Sequence, residues 1–342
     1  PEDFNSFFEI LVELFGENKI FFLDEIQNVT GWENFVRRMM DKGYKFIITG
    51  SNSTLLSKEL GTKLTGRYLL FNLFPFSFNE FLNFKNYALE KDDLLLTEKR
   101  AIIKKYFSEY LVMGGMPEFL QYNVSDILKS LYEDIIYKDI SARYEIRDLK
   151  TLRELALYYI SNISGNISFN KLKNTFMMGS VNTIKSYTQF MENSFLFFTV
   201  NILSYSLKKQ IIASKKIYCI DNGIVNSIAF KYSEGSGKFL ENLIFVELKR
   251  RNKDIYYYKN KNKTEVDFII KEGAVIKEVI QAAYDISLEK TKNREINSIK
   301  QSMTELDLPE GLIVTYDFED EILFDNKRII IKPAYKWLLE KK

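Results

Sequence analysis

Apolar residues along the first part of the chain alternate between helical spacing and short unbroken runs. Phe4, Phe7, Phe8, Leu11 and Leu14 share one face of a helix over residues 4–15. KIFFLD (19–24) is then an apolar run ending in acid, the pattern of a buried parallel strand. Phe35, Val36, Met39 and Met40 mark a second helix over 32–42, and YKFIIT (44–49) a second strand. Strand, helix, strand at this spacing predicts a βαβ unit. A further strand is expected over 65–74, with Pro75 as a break and Ser77 as a helix cap. Helices follow to about Phe84 and over 98–113, before the turn Gly114-Gly115-Met116-Pro117.

Helical periodicity continues from Val124 to about Asn193. Within it, SFNKLKNTF (168–176), a turn at 177–179 and the capped run 180–193 resemble a helix-turn-helix. Its second helix would present Asn182, Thr183, Lys185, Ser186 and Gln189, and the apolar runs at 195–202 and 215–221 could form a wing. With Lys208, Lys209, Lys215 and Lys216 near that wing, the region suits either contact with DNA or service as a packing lid. The pattern changes near Gly235. An amphipathic helix (238–251), strands at 255–259, 265–270 and 275–281, a charged helix (288–306), a strand at 312–316 and a terminal helix form a separate α/β module.

Composition narrows the chemistry. A chain of 342 residues suggests two or three domains, and 46% hydrophobic with 27% charged residues excludes wholesale disorder. Lys+Arg 48 against Asp+Glu 46 excludes a polybasic coat, so any nucleic-acid contact must be a local patch. The absence of histidine removes His-based triads, general bases and metal sites. The single cysteine, Cys219, fits a reducing cytosol and a cytoplasmic location. No apolar run reaches the ~18 residues of a membrane span. The chemistry must therefore run on carboxylates, amines, hydroxyls and amides.

Asp24 and Glu25 stand at the end of the first strand, where open α/β sheets bind ligands. In a phosphate-handling site the first acid holds magnesium and the second polarises the attacking water; the plain alternative is two solvated acids ending a strand. Ser51 or Asn52, after the next strand, would lie beside Asp24 and feel a γ-phosphate, or simply cap a helix. Arg67 could stabilise transition-state charge or be a surface arginine, and Gly115 to Pro117 could be a helix stop.

FFLDEIQN, TGSNS, LTGR, FPFSFNEF and GGMPEF, in this order and with KPAYKWLL at 332–339, resemble the prokaryotic AAA-type ATP-binding proteins that carry a C-terminal endonuclease-like domain. The resemblance covers essentially the whole chain. It implies an α/β fold with a partial P-loop NTPase sheet, a helical and winged-helix middle, and a restriction-endonuclease-like end. The expected segments are 1–84, 85–150, 151–215 and 216–342. It also implies ATP and Mg2+ as ligands, with Asp24 on magnesium, Glu25 as hydrolytic base, Asn52 as phosphate sensor, Arg67 as finger and Gly115–Pro117 beside adenine. One departure is large: no G-x-x-x-x-G-K-[ST] occurs, and Gly235-Ser236-Gly237-Lys238 fails both its spacing and its order. In the family that loop precedes the Asp-Glu strand, so it is expected upstream of Pro1.

The last module resembles the PD-(D/E)XK nuclease fold, with Glu241 as the helix acid and Asp267 as the central metal acid. Such nucleases then use Glu-x-Lys on the next strand. Here VIQAAYD (279–285) places Gln281 and Ala283 at those positions, and alanine can neither take a proton nor stabilise charge. Lys277 and Lys292 could substitute spatially, though nothing in the sequence argues for it. The expectation is an ATP-driven switch whose nuclease-like domain is degenerate and used for binding. The alternatives are an ATP-regulated DNA endonuclease and a non-enzymatic DNA-binding protein. Expected partners are ATP, DNA, and a second copy or a partner protein, with no membrane.

Overall fold

In the computed structural model, which describes residues 4–26, 29–50, 67–229 and 235–340, the chain is a mixed α/β protein with two sheets. The smaller sheet pairs β1 (Ile20–Leu23) and β2 (Lys45–Ile48) in parallel, Phe21 opposite Phe46. The helices Phe4–Phe15 and Trp32–Asp41 supply apolar faces to the same core, formed by Leu23, Trp32, Phe35, Val36 and Met39, with Phe4, Phe7 and Phe8 against it. Only one side of each strand is covered. Phe22 and Ile47, alternating with the inward residues, are 75% and 51% exposed, unlike a strand buried on both faces. Residues 67–74, expected as a strand, form none: Leu69, Phe71 and Leu73 face solvent, so no neighbour among the described residues rewards pairing there.

Helices then dominate. Phe78–Phe84 opens with a capping box, Ser77 Oγ accepting from the Glu80 amide while the Glu80 carboxylate accepts from Ser77 N. Helices Thr97–Met113, Pro117–Tyr122 and Ser125–Asp134 follow, the last widening into a π-helical stretch, Ile135–Ala142. Next come helix Leu149–Ser161, the short β3 (Asn166–Ile167), helices Phe169–Thr175 and Val181–Asn193, β4 (Phe197–Ile202), the short helix Leu207–Ile212 and β5 (Lys215–Cys219). β4 and β5 form an antiparallel pair, and β3 adds to the far side of β5.

The remaining strands are β6 (Asp254–Lys259), β7 (Glu265–Glu272), β8 (Val275–Ala283), β9 (Glu310–Thr315), β10 (Asp320–Phe324) and β11 (Lys327–Pro333). They join β3 to β5 in one nine-stranded sheet, ordered β10-β11-β9-β8-β7-β6-β4-β5-β3. The seam is a parallel contact of β4 with β6, Asn201 opposite Tyr256 and Ile202 opposite Tyr257. Helices Ser236–Arg250 and Glu289–Glu305 pack on this sheet, and Ala334–Leu339 closes the chain against Phe78–Phe84. The region expected to end in a helix alone thus carries two further strands.

Candidate functional site

Two carboxylate sites emerge, one on each sheet. At the C-terminal end of β1, Asp24 Oδ1 accepts from the hydroxyl of Thr49, which follows β2. Thr49 N in turn donates to Leu23 O at 3.0 Å, so the parallel pairing places that hydroxyl at the end of the sheet. The Glu25 amide points at the same Oγ1 at 3.4 Å, and Glu25 itself takes a left-handed backbone (φ +49°). Asp24 is exposed and Glu25 half-buried. Ser51 and Asn52, the expected neighbours of Asp24, lie outside the described residues; Thr49 is the polar group found beside it. Arg67 Nη1 pairs at 2.6 Å with Asp41, at the end of helix Trp32–Asp41, both side chains being 56% exposed.

An exposed carboxylate at a strand end suits magnesium, which takes one or two protein carboxylates and keeps the rest of its shell for water and phosphate oxygens. Asp24 fits that role by position and chemistry.

Gly115 sits in a buried junction of three distant segments, whereas Pro117, two residues on, is exposed. Gly115 N donates to Asp221 Oδ2 at 2.6 Å, and Gly115 O accepts from Phe76 N at 2.8 Å. The other Asp221 oxygen caps helix Asn222–Ile228 through Gly223 N (2.8 Å) and Ile224 N. Pro117 is the first residue of helix Pro117–Tyr122, where its missing N–H costs nothing. Burial pushes the Asp221 carboxyl up to about 6, against three backbone N–H groups and Arg250 that pull it down.

The second site lies where β5, β7, β8 and helix Ser236–Arg250 converge. The Lys216 ammonium, on a side chain only 2% exposed, meets Asp267 Oδ1 at 2.6 Å, Glu241 Oε1 at 2.8 Å and Glu265 Oε1 at 3.0 Å. Tyr218, two residues along β5, donates to the same Glu241 oxygen at 2.8 Å. Ala282 N holds the other Asp267 oxygen at 3.0 Å. Gln281 is spent on both sides, accepting from Asp267 N and donating to Glu295 Oε2 at 3.0 Å. Burial alone would depress the Lys216 ammonium, but Asp267 and the other acids outweigh it and hold it well above the usual lysine value. Burial, then the Asp267 charge, raise Glu241 to about 7 despite Lys216.

Glu241, Asp267 and Gln281 are therefore brought together as the sequence suggested, but around a lysine it did not assign. Lys216, expected near the wing surface, is buried. Of the two lysines considered as stand-ins, Lys292 pairs with Asp320 at 3.0 Å and Lys277 is exposed. Lys216 and Tyr218 on β5, like Glu265 and Asp267 on β7, stand at i and i+2 and so share one face of their strand; that alternation was the available signal. Three carboxylates around one ammonium do not fit a divalent cation, because the amine already holds the place such an ion would take. Among the described residues no group of three His, Cys, Asp or Glu side chains stands at metal-binding spacing.

Residues 2–82 match an AAA domain, residues 104–234 a domain of unknown function (DUF8612), and residues 236–336 another (DUF4143). An uncharacterized protein of Methanocaldococcus jannaschii is 36% identical over 99% of this chain and 78% of its own length. One from Haemophilus influenzae is 29% identical over 95% of this chain and 79% of its own. No described helix is long and apolar enough to cross a membrane. With such identity across nearly its whole length, this chain, whose AAA-domain match precedes the two others, belongs to the same prokaryotic family as the Methanocaldococcus protein.

Proposed function

We propose that this protein is a magnesium-dependent ATPase acting as a molecular switch, with a C-terminal nuclease-like module that binds rather than cuts. The observation that carries the nucleotide part is Asp24 at the end of a parallel strand, bonded to Thr49 of its neighbour, within the segment that matches an AAA domain. Asp24 would hold magnesium and Thr49 would fix its carboxylate. Glu25, next in sequence and turned by its left-handed backbone, would orient the attacking water as general base. Arg67 would act as a finger only after leaving Asp41, and Asn52, Ser51 and the Gly115–Pro117 turn keep the sensor and adenine-side roles that the resemblance implies. The 342 residues contain no G-x-x-x-x-G-K-[ST] run, so they contribute the magnesium and water side of the site rather than a phosphate cradle of that kind.

For the C-terminal module, a PD-(D/E)XK-like scaffold with an amine seated among its acids supports binding over cleavage. The test of the ATPase reading is turnover by the whole protein. Glu25→Gln is expected to retain ATP and magnesium yet lose hydrolysis by roughly 10²–10⁴-fold, the loss typical of a general base. Turnover near the wild-type rate in that variant would remove Glu25 from the role.

A further inference from the structure

Charge is distributed unevenly in this nearly neutral chain. Between Glu154 and Asp221 there are seven lysines, no arginine, and one acid, Glu192. That acid is turned inward, its Oε1 accepting from Thr199 N and Oγ1, each at 2.7 Å. Lys216 is likewise withdrawn into the carboxylate cluster. What reaches solvent from this stretch is positive only: Lys171, Lys185, Lys208 and Lys209 are exposed. Of the acids just before the stretch, Asp148 caps helix Leu149–Ser161 through Thr151 N at 3.1 Å, and Glu154 is paired with Lys150 at 3.9 Å.

The elements bearing these lysines run helix, β3, helix Phe169–Thr175, helix Val181–Asn193, β4, β5, with the strands ordered β3-β5-β4. In a helix-turn-helix of this kind the second helix enters the major groove and the hairpin flanks it. On Val181–Asn193, Ile184, Tyr187, Thr188 and Met191 face the core, leaving Asn182, Lys185, Ser186 and Gln189 outward. Neutral donors and acceptors interleaved with a lysine can address both base edges and phosphates. The helix and the hairpin lie close enough to interact electrostatically: burial lowers the Lys215 ammonium at the start of β5, Glu192 on the helix opposes this, and Lys185 on the same helix adds a smaller lowering. Between β4 and β5, Tyr205 is 96% exposed.

We infer that helix Val181–Asn193 and the β4–β5 connection form a binding face for double-stranded DNA, held chiefly by Lys185, Lys208 and Lys209 on phosphates. The inference goes beyond the nucleotide reading and does not depend on it, since these lysines lie outside the Asp24 site. An acidic protein partner would be served by the same charges, but not by the row of uncharged hydrogen-bonding groups along the helix.

The test is fluorescence anisotropy of the full protein with a labelled mixed-sequence duplex of about two helical turns, titrated across salt. Wild type is expected to bind with log affinity falling linearly in log salt. The triple variant Lys185→Ala/Lys208→Ala/Lys209→Ala should bind at least about tenfold more weakly, with a slope shallower by about 0.9 for each phosphate it no longer neutralises. The pair Lys263→Ala/Lys290→Ala, exposed in the C-terminal module, should leave binding unchanged. Circular dichroism checks that each variant folds. Unaltered binding by the triple variant, an equal loss in the control pair, absence of salt-dependent duplex binding, or equal affinity for single-stranded DNA or RNA would each overturn the inference.

Discussion

A single amine decides the character of the C-terminal site. Lys216 is almost wholly buried and neutralises part of a three-carboxylate ring, so removing it leaves uncompensated charge in the interior. Lys216→Met is therefore expected to destabilise the protein by about 3–5 kcal/mol, the cost of breaking a buried ion pair from one side. Urea unfolding measures this, and a loss under about 1 kcal/mol would show the ring tolerates its own charge. The same ring is pH-sensitive. Glu241 rises from its ordinary 4.5 to about 7, so between those values the native state binds more protons than the unfolded chain. Its contribution to stability is then full below the lower value and lost as pH climbs through the upper one. Glu241→Gln removes that dependence. The melting temperature of the variant minus that of wild type should increase from about pH 5 to about pH 8. Asp221, also raised, is common to both proteins and cancels. A difference that stays flat with pH would contradict the assignment.

At the level of elements, the segments around Phe76, Gly115 and Asp221 interlock through backbone, which leaves no room for a side chain. A Cβ on Gly115 would stand 2.3 Å from Phe76 O and 2.8 Å from Phe76 N, both main-chain atoms. Gly115→Ala should cost about 1–3 kcal/mol or more, as overpacking does. Gly179→Ala, with nothing within 4 Å of its Cβ, should be near neutral. Equal urea midpoints for the two would refute the junction. Much of this level was legible in the sequence, because amphipathic period and caps are local: the helices at 4–15, 97–113, 181–193 and 236–250 and strands β1, β2, β4 to β9 fall where the pattern placed them. The hairpin β10–β11 was missed although Asp325 (φ +44°) and Asn326 (φ +60°) form the left-handed two-residue turn that favours such residues. Residues 67–74 misled in the other direction, since alternating apolar residues state a preference that only a partner strand can satisfy. Glu241, Asp267 and Gln281 were reached through the resemblance to a nuclease fold; Lys216 was not, because its partners arrive from other strands and a helix.

Over the whole molecule, the apolar core is divided. Leu23, Ile26, Trp32, Phe35, Val36 and Met39 form a small cluster of their own, the main core runs from Phe78 to Leu338, and a third cluster that includes Val266, Ile269, Ile299 and Ile313 lies in the C-terminal sheet. Few buried contacts mean low local stability. The two tryptophans report separately on two of these clusters, Trp32 on the small one and Trp337 on the main one. In urea, the fluorescence of Trp337→Phe, which sees only Trp32, should therefore change at a lower midpoint than that of Trp32→Phe. Coincident midpoints would mean that the clusters unfold as one. The seam of β4 on β6 has a consequence of a mechanical kind. It welds the hairpin that follows helix Val181–Asn193 to the strands that carry Glu265 and Asp267, and Lys216 crosses that weld like a peg driven through two planks. The hairpin and the C-terminal strands are thus fastened twice, once through backbone at the seam and once through the side chain of Lys216, so a displacement of one draws on the other.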